Sequence, residues 1–593
     1  MPKPTPPSDH YRQRLQAREL RVRHLETIHI RLGYLRLLLA TALVALVWIY
    51  LAGHTLSALW LGVPILLFIA VAAFHAKILG RQALAQRAVD FYRHGLARIE
   101  DSWQGIGSRG ERFDVSEHLY ASDLDLFGHG SLFQLLSAAR TLMGEDTLAD
   151  WLLRPSSLDA IRERHQAIPD LRDRIDFREA MAVSGESLEA AVHPDQLTDW
   201  AQSPLQLPSQ TVRWLSLLLS ILMVATAIYW GFTGLRYPFF LVLLLEGIVV
   251  ATHRARVNAV LHQTEHALAD LKLISSLLAH IETEDFETPY LQERKSRLFT
   301  RQVSASKAIA RLDTIGQYIQ SLENPLMRLI DIPLLYSVQV AFAADSWRRQ
   351  FGPAVTAWLS ELGQMEALLS LSTYSFEHPE DPLPTFVSGP PSFHAQDIGH
   401  PLIPAARCVR NNLSLNSEQR VILISGSNMS GKSTLMRSVG INTVLAMAGA
   451  PVRAQSLQLT PLHVGASILV NDSLQKGASR FYAEITRLRH ILDLATEEPP
   501  LLFLLDELLQ GTNSRDRLIG AEGVLRALLE TSAIGLISTH DLALTALRSD
   551  ALHNMHFQDQ IEDEKMKFDY ILRPGPVTRS NGVELMRLIG LDV

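Results

Sequence analysis

Val421-Ile422-Leu423-Ile424-Ser425-Gly426-Ser427-Asn428-Met429-Ser430-Gly431-Lys432-Ser433-Thr434 decides how this chain is read. Four consecutive apolar residues, hydrophobic on both faces, predict a buried strand of a parallel or mixed sheet. The strand runs into G-x-x-x-x-G-K-S, a phosphate loop, and a helical pattern follows it. Gly426 and Gly431 let the backbone N–H groups of the loop wrap phosphate oxygens at a helix N-terminus. In such a loop Lys432 reaches the β- and γ-phosphates of ATP, and the Ser433 hydroxyl holds Mg2+.

Two further buried strands supply the rest of a nucleotide site. Leu501-Leu502-Phe503-Leu504-Leu505 delivers Asp506-Glu507. Asp506 is placed to coordinate Mg2+, and Glu507 to polarise the attacking water. A surface-turn acid pair is the bland alternative, and five apolar residues in front of it argue against it. Ile534-Gly535-Leu536-Ile537-Ser538 ends at Thr539-His540-Asp541. A histidine at that strand end falls beside the γ-phosphate, where it can sense it or position water. The expected fold from about residue 393 onward is therefore an α/β P-loop NTPase.

Upstream the texture changes. Pro379, Pro382, Pro384, Pro390 and Pro391 suggest a linker over 379–392. Residues 254–378 and 77–211 have helical spacing of apolar positions, and the former has few glycines. One helix is expected to begin at Ser131 and another to end at Arg154-Pro155, because a proline disfavours helix at the residue before it. The basic segment 1–32 is expected to be disordered over its first ten residues and helical after them.

Four apolar runs stand out: Leu37 to Gly53, Leu56 to Ala76, Trp214 to Phe232 and Tyr237 to Thr252. Each approaches the roughly 20 residues that a membrane helix needs. They form two pairs with short links, 33–76 and 212–253, which read as helical hairpins. Their flanks carry Arg31, Arg36, Lys77, Arg81, Arg213, Arg254 and Arg256, so the Lys/Arg bias puts both hairpin tips outside and everything else in the cytoplasm. The alternative is a set of buried helices in a large soluble core. Glu246 interrupts the fourth run and is expected to face a neighbouring helix or to snorkel. The first run starts too far along and is followed too closely by a second to be a cleavable signal peptide.

Composition narrows the remaining options. Hydrophobic residues are 47% of the 593 and charged residues 20%, which excludes a disordered chain. The net charge of −7 excludes a whole-chain basic footprint for nucleic acid, though not a local one. Cys408 is the only cysteine, which excludes an internal disulfide framework and a cysteine-based zinc site.

The Asn-Met pair inside Gly426 to Thr434 resembles the phosphate loop of the MutS family. Asp506-Glu507 through Gly511-Thr512-Asn513-Ser514 resembles that family's second acidic segment and the loop beyond it. Ser479-Arg480-Phe481-Tyr482-Ala483-Glu484 is similar to its Ser-x-Phe-x-x-Glu element, and Ser538-Thr539-His540 to its last nucleotide motif. Val409-Arg410-Asn411-Asn412 lies where the family has its adenine-side segment, with Cys408 in place of the usual aromatic. Ser580-Asn581-Gly582-Val583 to Gly590 is similar to its helical dimerisation tail, and Gly130 to Pro155 resembles the start of its helical core and lever.

The resemblance implies a homodimer of ATPase domains in 393–593, with Ser479 serving the partner's γ-phosphate and levers in 77–211 and 254–378. It implies a clamp-like ATP cycle acting on mismatched, branched or damaged DNA, as in DNA mismatch repair. No mismatch-reading domain is expected ahead of the core. Phe177-Arg178-Glu179 matches the family's Phe-x-Glu reading motif only as a coincidence inside a helical region. Two functions from different classes follow: a DNA-binding clamp anchored in the inner or cell membrane, or a membrane signalling or remodelling ATPase without DNA. An active transporter is a weaker third.

Overall fold

The computed structural model describes residues 6–53, 57, 59–113, 115–185, 193–207, 210–427, 429–468, 480–510, 512–540, 542–545, 549–562 and 565–577. The helical part comprises α1 (Pro7–Leu51), α2 (Leu59–Ile99), α3 (Leu132–Leu136), α4 (Leu142–Leu153), α5 (Leu158–Arg172), α6 (Ile175–Gly185) and α7 (Pro194–Gln202). It continues with α8 (Gln210–Thr233), α9 (Tyr237–Thr283), α10 (Pro289–Arg297), α11 (Ala305–Ser321), α12 (Pro325–Leu334) and α13 (Tyr336–Glu377). A two-stranded ribbon, β1 (Phe299–Thr300) with β2 (Val303–Ser304), precedes α11.

The apolar runs lie in α1, α2, α8 and α9, each long and apolar enough to cross a membrane. At most 22% of the most apolar stretch of any of them is buried, so the protein does not cover these faces as it would cover core helices. The boundaries expected at 32/33, 76/77 and 253/254 are not breaks. α1, α2 and α9 continue through them, because no proline interrupts the chain there and helical backbone bonds are satisfied internally in any solvent. Of the first ten residues, expected to be disordered, 1–5 lie outside the described residues and 7–10 are helical instead: α1 starts at Pro7, whose fixed φ suits a first helical position. Ser131 caps α3 by accepting from the Gln134 N–H, and α4 ends at Leu153 before Arg154-Pro155.

Below the hairpins, α4, α5, α7, α9, α11 and α13 pack around Trp200, Trp347 and Trp358. α1 and α2 are tied to the end of α13 by one knot of charge. Arg98 donates from Nε and Nη2 to the two oxygens of Glu377 at 2.6 and 2.7 Å, and the Tyr11 hydroxyl donates to Glu377 at 3.2 Å. Phe177, Arg178 and Glu179 are buried in α6, and Glu179 is bonded to Tyr92 and Arg18. That stretch is part of the core, as a chance match would be.

The remainder is α/β: β3 (Thr385–Phe386), β4 (Phe393–Ile398), β5 (Asn411–Leu415), β6 (Val421–Ser425), β7 (Ser456–Leu459), β8 (His463–Ser467), β9 (Leu501–Asp506), β10 (Ile534–Thr539), β11 (Leu552–Glu562) and β12 (Lys565–Pro574). Its helices are α14 (Lys432–Ala448), α15 (Arg480–Leu494), α16 (Ser514–Leu529) and α17 (Leu542–Thr545). The six-stranded sheet has the order β12-β11-β6-β10-β9-β8, parallel except for β12 at its edge. A second sheet has the order β3-β7-β4-β5.

The segment 379–392, expected as a linker, connects α13 to β4 with only Asp381 and Pro384 buried, and it is pinned to its neighbours at two places. β3 pairs with β7, and buried Asp381 accepts from Arg453 at 3.0 Å and from the Tyr374 hydroxyl at 2.8 Å. The helical part also grips the α/β part directly: Arg437 of α14 meets Asp125 at 3.1 Å, and Arg164 donates to the Ala448 carbonyl at 2.7 Å.

Candidate nucleotide site

β6, β9 and β10 are buried along their lengths, which is why their sequences are apolar on both faces. Their register pairs Asp506 with Ser538 and Ser425 with Thr539, so three strands end level with one another. Ligands of open parallel sheets bind at that carboxyl edge. α14 leaves the same edge, with Gly431 at its N-cap.

The loop needs its glycines. Gly431 has φ +106°, and a Cβ there would come within 3.1 Å of the Tyr570 ring. Gly426 has φ +153°, and a Cβ would meet the Ser430 hydroxyl at 2.9 Å. Either substitution would strain the backbone and fill the cradle.

Lys432 is buried, and its Nζ donates to the carbonyls of Gly426 and Ser427, each at 3.0 Å, with His540 Nε2 at 3.3 Å. Burial holds the ammonium below the ordinary lysine range, while the charges of Glu507 and Asp506 pull it back up. The Ser433 hydroxyl donates to Asp506 Oδ2 at 2.5 Å, and the Ser538 hydroxyl to the other oxygen. Glu507 is paired with His540. That hydrogen bond holds the Glu507 carboxyl below its ordinary range despite partial burial. Glu507 sits at φ +50°, just past the strand end. The loop after it is fixed by Glu484 of α15, which accepts from the Leu509 N–H at 2.5 Å. A hydroxyl and a carboxylate side by side are hard oxygen donors of the kind Mg2+ takes alongside substrate phosphates and water. Ser433 and Asp506 therefore fit that ion.

A cavity of about 530 Å3 lies over the loop, lined among others by Val409, Met429, Lys432, Thr434, Glu507 and Tyr570. A volume of this size suits a small-molecule ligand. A second opening of about 360 Å3, on the far side of Glu507, is lined by His540, Ser514 and Arg517.

The structure brings together Gly426, Ser427, Met429, Ser430, Gly431, Lys432, Ser433, Thr434, Asp506, Glu507, His540 and Val409. Asn428, Ser479 and the tail from 578 lie outside the described residues. Cys408 also lines the cavity, with its Sγ accepting from the His400 N–H at 3.3 Å.

These geometric findings have a counterpart in known proteins. A family model described as MutS domain V matches residues 422–592. Residues 422–592 are a domain of the MutS domain V family. A DNA mismatch repair protein MutS 2 of Halobacterium salinarum is 37% identical over 212 residues, which are 35% of this chain and 24% of that protein. The chain thus matches about a quarter of the length of that relative.

Tyr570 and Phe557 were not legible as members of the MutS-type site. They arrive on β12 and β11, and Asn411 ties β12 in place by donating to the Tyr570 carbonyl at 3.0 Å and accepting from the Leu572 N–H at 2.8 Å. Only Asn411, inside the quoted Val409 segment, hinted at that side of the cavity.

Proposed function

We propose that the chain is a membrane-anchored ATPase that binds and hydrolyses ATP with Mg2+ in sites completed by a second copy of itself. The observation that carries the ATPase reading is the convergence of Lys432, Ser433, Asp506, Glu507 and His540 on one strand edge. Lys432 neutralises phosphate charge, Glu507 accepts the water's proton and His540 positions Glu507. Mg2+, when held by Ser433 and Asp506, supplies charge neutralisation at the phosphates. The face of Tyr570 and the side chain of Val409 are surfaces for the base.

Glu507→Gln should keep ATP binding and lose hydrolysis; turnover at the parent rate would overturn the assignment. Ser479 is assigned to the partner's γ-phosphate. Mixing Ser479→Ala with Lys432→Ala subunits should then restore partial turnover, because one site of each heterodimer carries neither defect. No recovery in verified heterodimers, with an active wild-type/Lys432→Ala control, would argue against a shared site.

Four exposed apolar helices with basic flanks support anchoring by both hairpins, with the ATPase domain in the cytoplasm. A cysteine at Gly234 should label from outside with an impermeant reagent, and cysteines at Ser131 and Ser514 should not. Extraction by alkaline wash alone would remove the spanning reading.

The family makes DNA, mismatched, branched or damaged, the first substrate for the clamp cycle. A second reading, in which the output is delivered to the membrane without DNA, is favoured by the unbroken passage of α2 and α9 from apolar run to lever. Salt-dependent DNA binding by the solubilised full chain, with and without ATP, separates the two.

A further inference from the structure

α12 is a short helix with its apolar side turned outward. Asn324 caps it by accepting from the Leu326 N–H at 3.0 Å, and Pro325 opens it. Leu326, Leu329 and Ile330 stand at i, i+3 and i+4 on one face, exposed by 68, 70 and 42%. Arg328 and Asp331 fall on the other side. Asp331 is used: it accepts from the Ser337 N–H at 2.6 Å and so starts α13. A row of bare leucines beside a capped polar face is an aggregation liability in water and a fitting surface for lipid.

Position and direction agree. The Ser220 hydroxyl of α8 donates to the Leu334 carbonyl at 2.8 Å, tying the last turn of α12 to the apolar run. Ser220 lies six residues past Trp214, about 9 Å into that run at 1.5 Å per residue. The polypeptide turns at Leu335, whose φ is +46°, and α12 meets α13 at 88°. α13 packs along α9: Val338, Ala341 and Phe342 share a cluster with Val249, Val257 and Val260. α9 carries the span and α13 follows it, so α12 lies across their direction, in the plane of a membrane that α8 and α9 cross. α8 itself leaves Trp214, Leu215 and Leu218 exposed.

We propose that α12 is an in-plane helix seated in the cytoplasmic leaflet, with Leu326, Leu329 and Ile330 among the acyl chains. The proposal rests on the spanning reading of the second hairpin. Its consequence is mechanical. α12 is joined to the first turn of α13, and α13 ends at Tyr374 and Glu377, which reach Arg453 of the ATPase domain through Asp381 and hairpin 1 through Arg98. Lipid packing at the leaflet surface then bears on the lever that carries the nucleotide site.

The test uses the full-length chain with Cys408→Ser, reconstituted in phosphatidylcholine–phosphatidylglycerol vesicles. A bimane fluorophore is attached to a cysteine at Leu329, at Arg328 or, as a reference inside the span, at Leu218. Quenchers are aqueous iodide and lipids carrying a nitroxide near the headgroup. The expected result is quenching at Leu329 by shallow nitroxide lipid at least about twofold stronger than at Arg328, with little quenching by iodide. Quenching at Leu218 by lipid but at Leu329 only by iodide overturns the proposal and leaves the spanning reading intact. Protection at Leu329 from both quenchers also overturns it, because a protein surface then covers the face. Absence of lipid quenching at Leu218 removes the spanning reading and the proposal with it.

Discussion

Two sets of charges are drawn together inside this molecule, and they differ in what they leave open. At the ends of β6, β9 and β10, Lys432 and Glu507 both meet His540, Asp506 accepts from the Ser433 hydroxyl, and Lys432, Ser433 and Glu507 line a 530 Å3 cavity. At the foot of the first hairpin, both oxygens of Glu377 are consumed by Arg98 and Tyr11, and its side chain is wholly buried. The first set can trade partners for a ligand. The second can only hold α1, α2 and α13 together. Buried charge by itself therefore does not identify a functional site in this protein; access to a cavity does.

The largest expected effect breaks the first set. Lys432→Ala should reduce ATP turnover by two orders of magnitude or more, because the principal side-chain cation at the β- and γ-phosphates is gone. Thermal melting should move little, since Lys432 is held mainly by two loop carbonyls. A large loss of stability would mean that the cradle is as structural as the Glu377 knot, and the contrast would fail.

The converse experiment is Glu377→Ala. It leaves Arg98 buried without its carboxylate and should cost about 3–5 kcal/mol. The measurement is denaturant unfolding in detergent, read together with proteolysis of the α1 segment. ATP binding should survive in the protein that remains folded. Arg98→Met with Glu377→Leu should recover much of the loss, because an apolar pair of similar volume replaces a desolvated ion pair.

His540→Ala sharpens the first set without emptying it. The hydrogen bond from His540 holds the Glu507 carboxyl below its ordinary value of 4.5. Glu507 therefore stays ionised, and able to accept a proton, further into acid than a free glutamate would. Without His540 the acid limb of the pH–turnover profile should move up toward the ordinary value. A profile that keeps its acid limb would show that His540 does not position Glu507.

The two sets were unequally legible in the sequence. Lys432, Ser433, Asp506, Glu507 and His540 each follow a short apolar run at a strand end, so local pattern places them on one sheet edge before any contact is known. Arg98, Tyr11 and Glu377 give no such signal. Tyr11 and Glu377 are 366 residues apart and meet only because three long helices converge. Tyr570 was hidden for the same reason, since an edge strand paired at long range delivers it. Asp381 looked like part of a linker because prolines surround it, and the partner that anchors it, Arg453, comes from beyond α14. The hairpins were legible as composition. Their unbroken continuation into levers was not, because composition changes at 76/77 while the helix does not.

Glu366 on α13 tests the boundary between the two kinds of set, with the smallest effect. It is buried and closed like Glu377, yet among the described residues no side-chain cation is hydrogen-bonded to it. Its oxygens accept from the Arg140 N–H at 2.9 Å and from the Thr141 hydroxyl. Burial pushes its pKa from 4.5 up to about 7. Between those values the folded protein keeps a proton that the unfolded chain has released. Stability therefore falls as pH rises from 4.5 to 7 and is flat on either side, by at most about 3 kcal/mol from this group. Glu366→Gln imitates the protonated acid: its carbonyl oxygen can accept from Arg140, and its amide can donate to the Thr141 oxygen. There is little room for anything larger, since a Cβ on Gly144 would already overlap the Glu366 side chain. The variant should match the parent near pH 5 and exceed it above pH 7, flattening the melting temperature across that window. If the slope is unchanged in the variant, Glu366 is ionised in the folded protein and its two hydrogen bonds suffice to hold a buried charge.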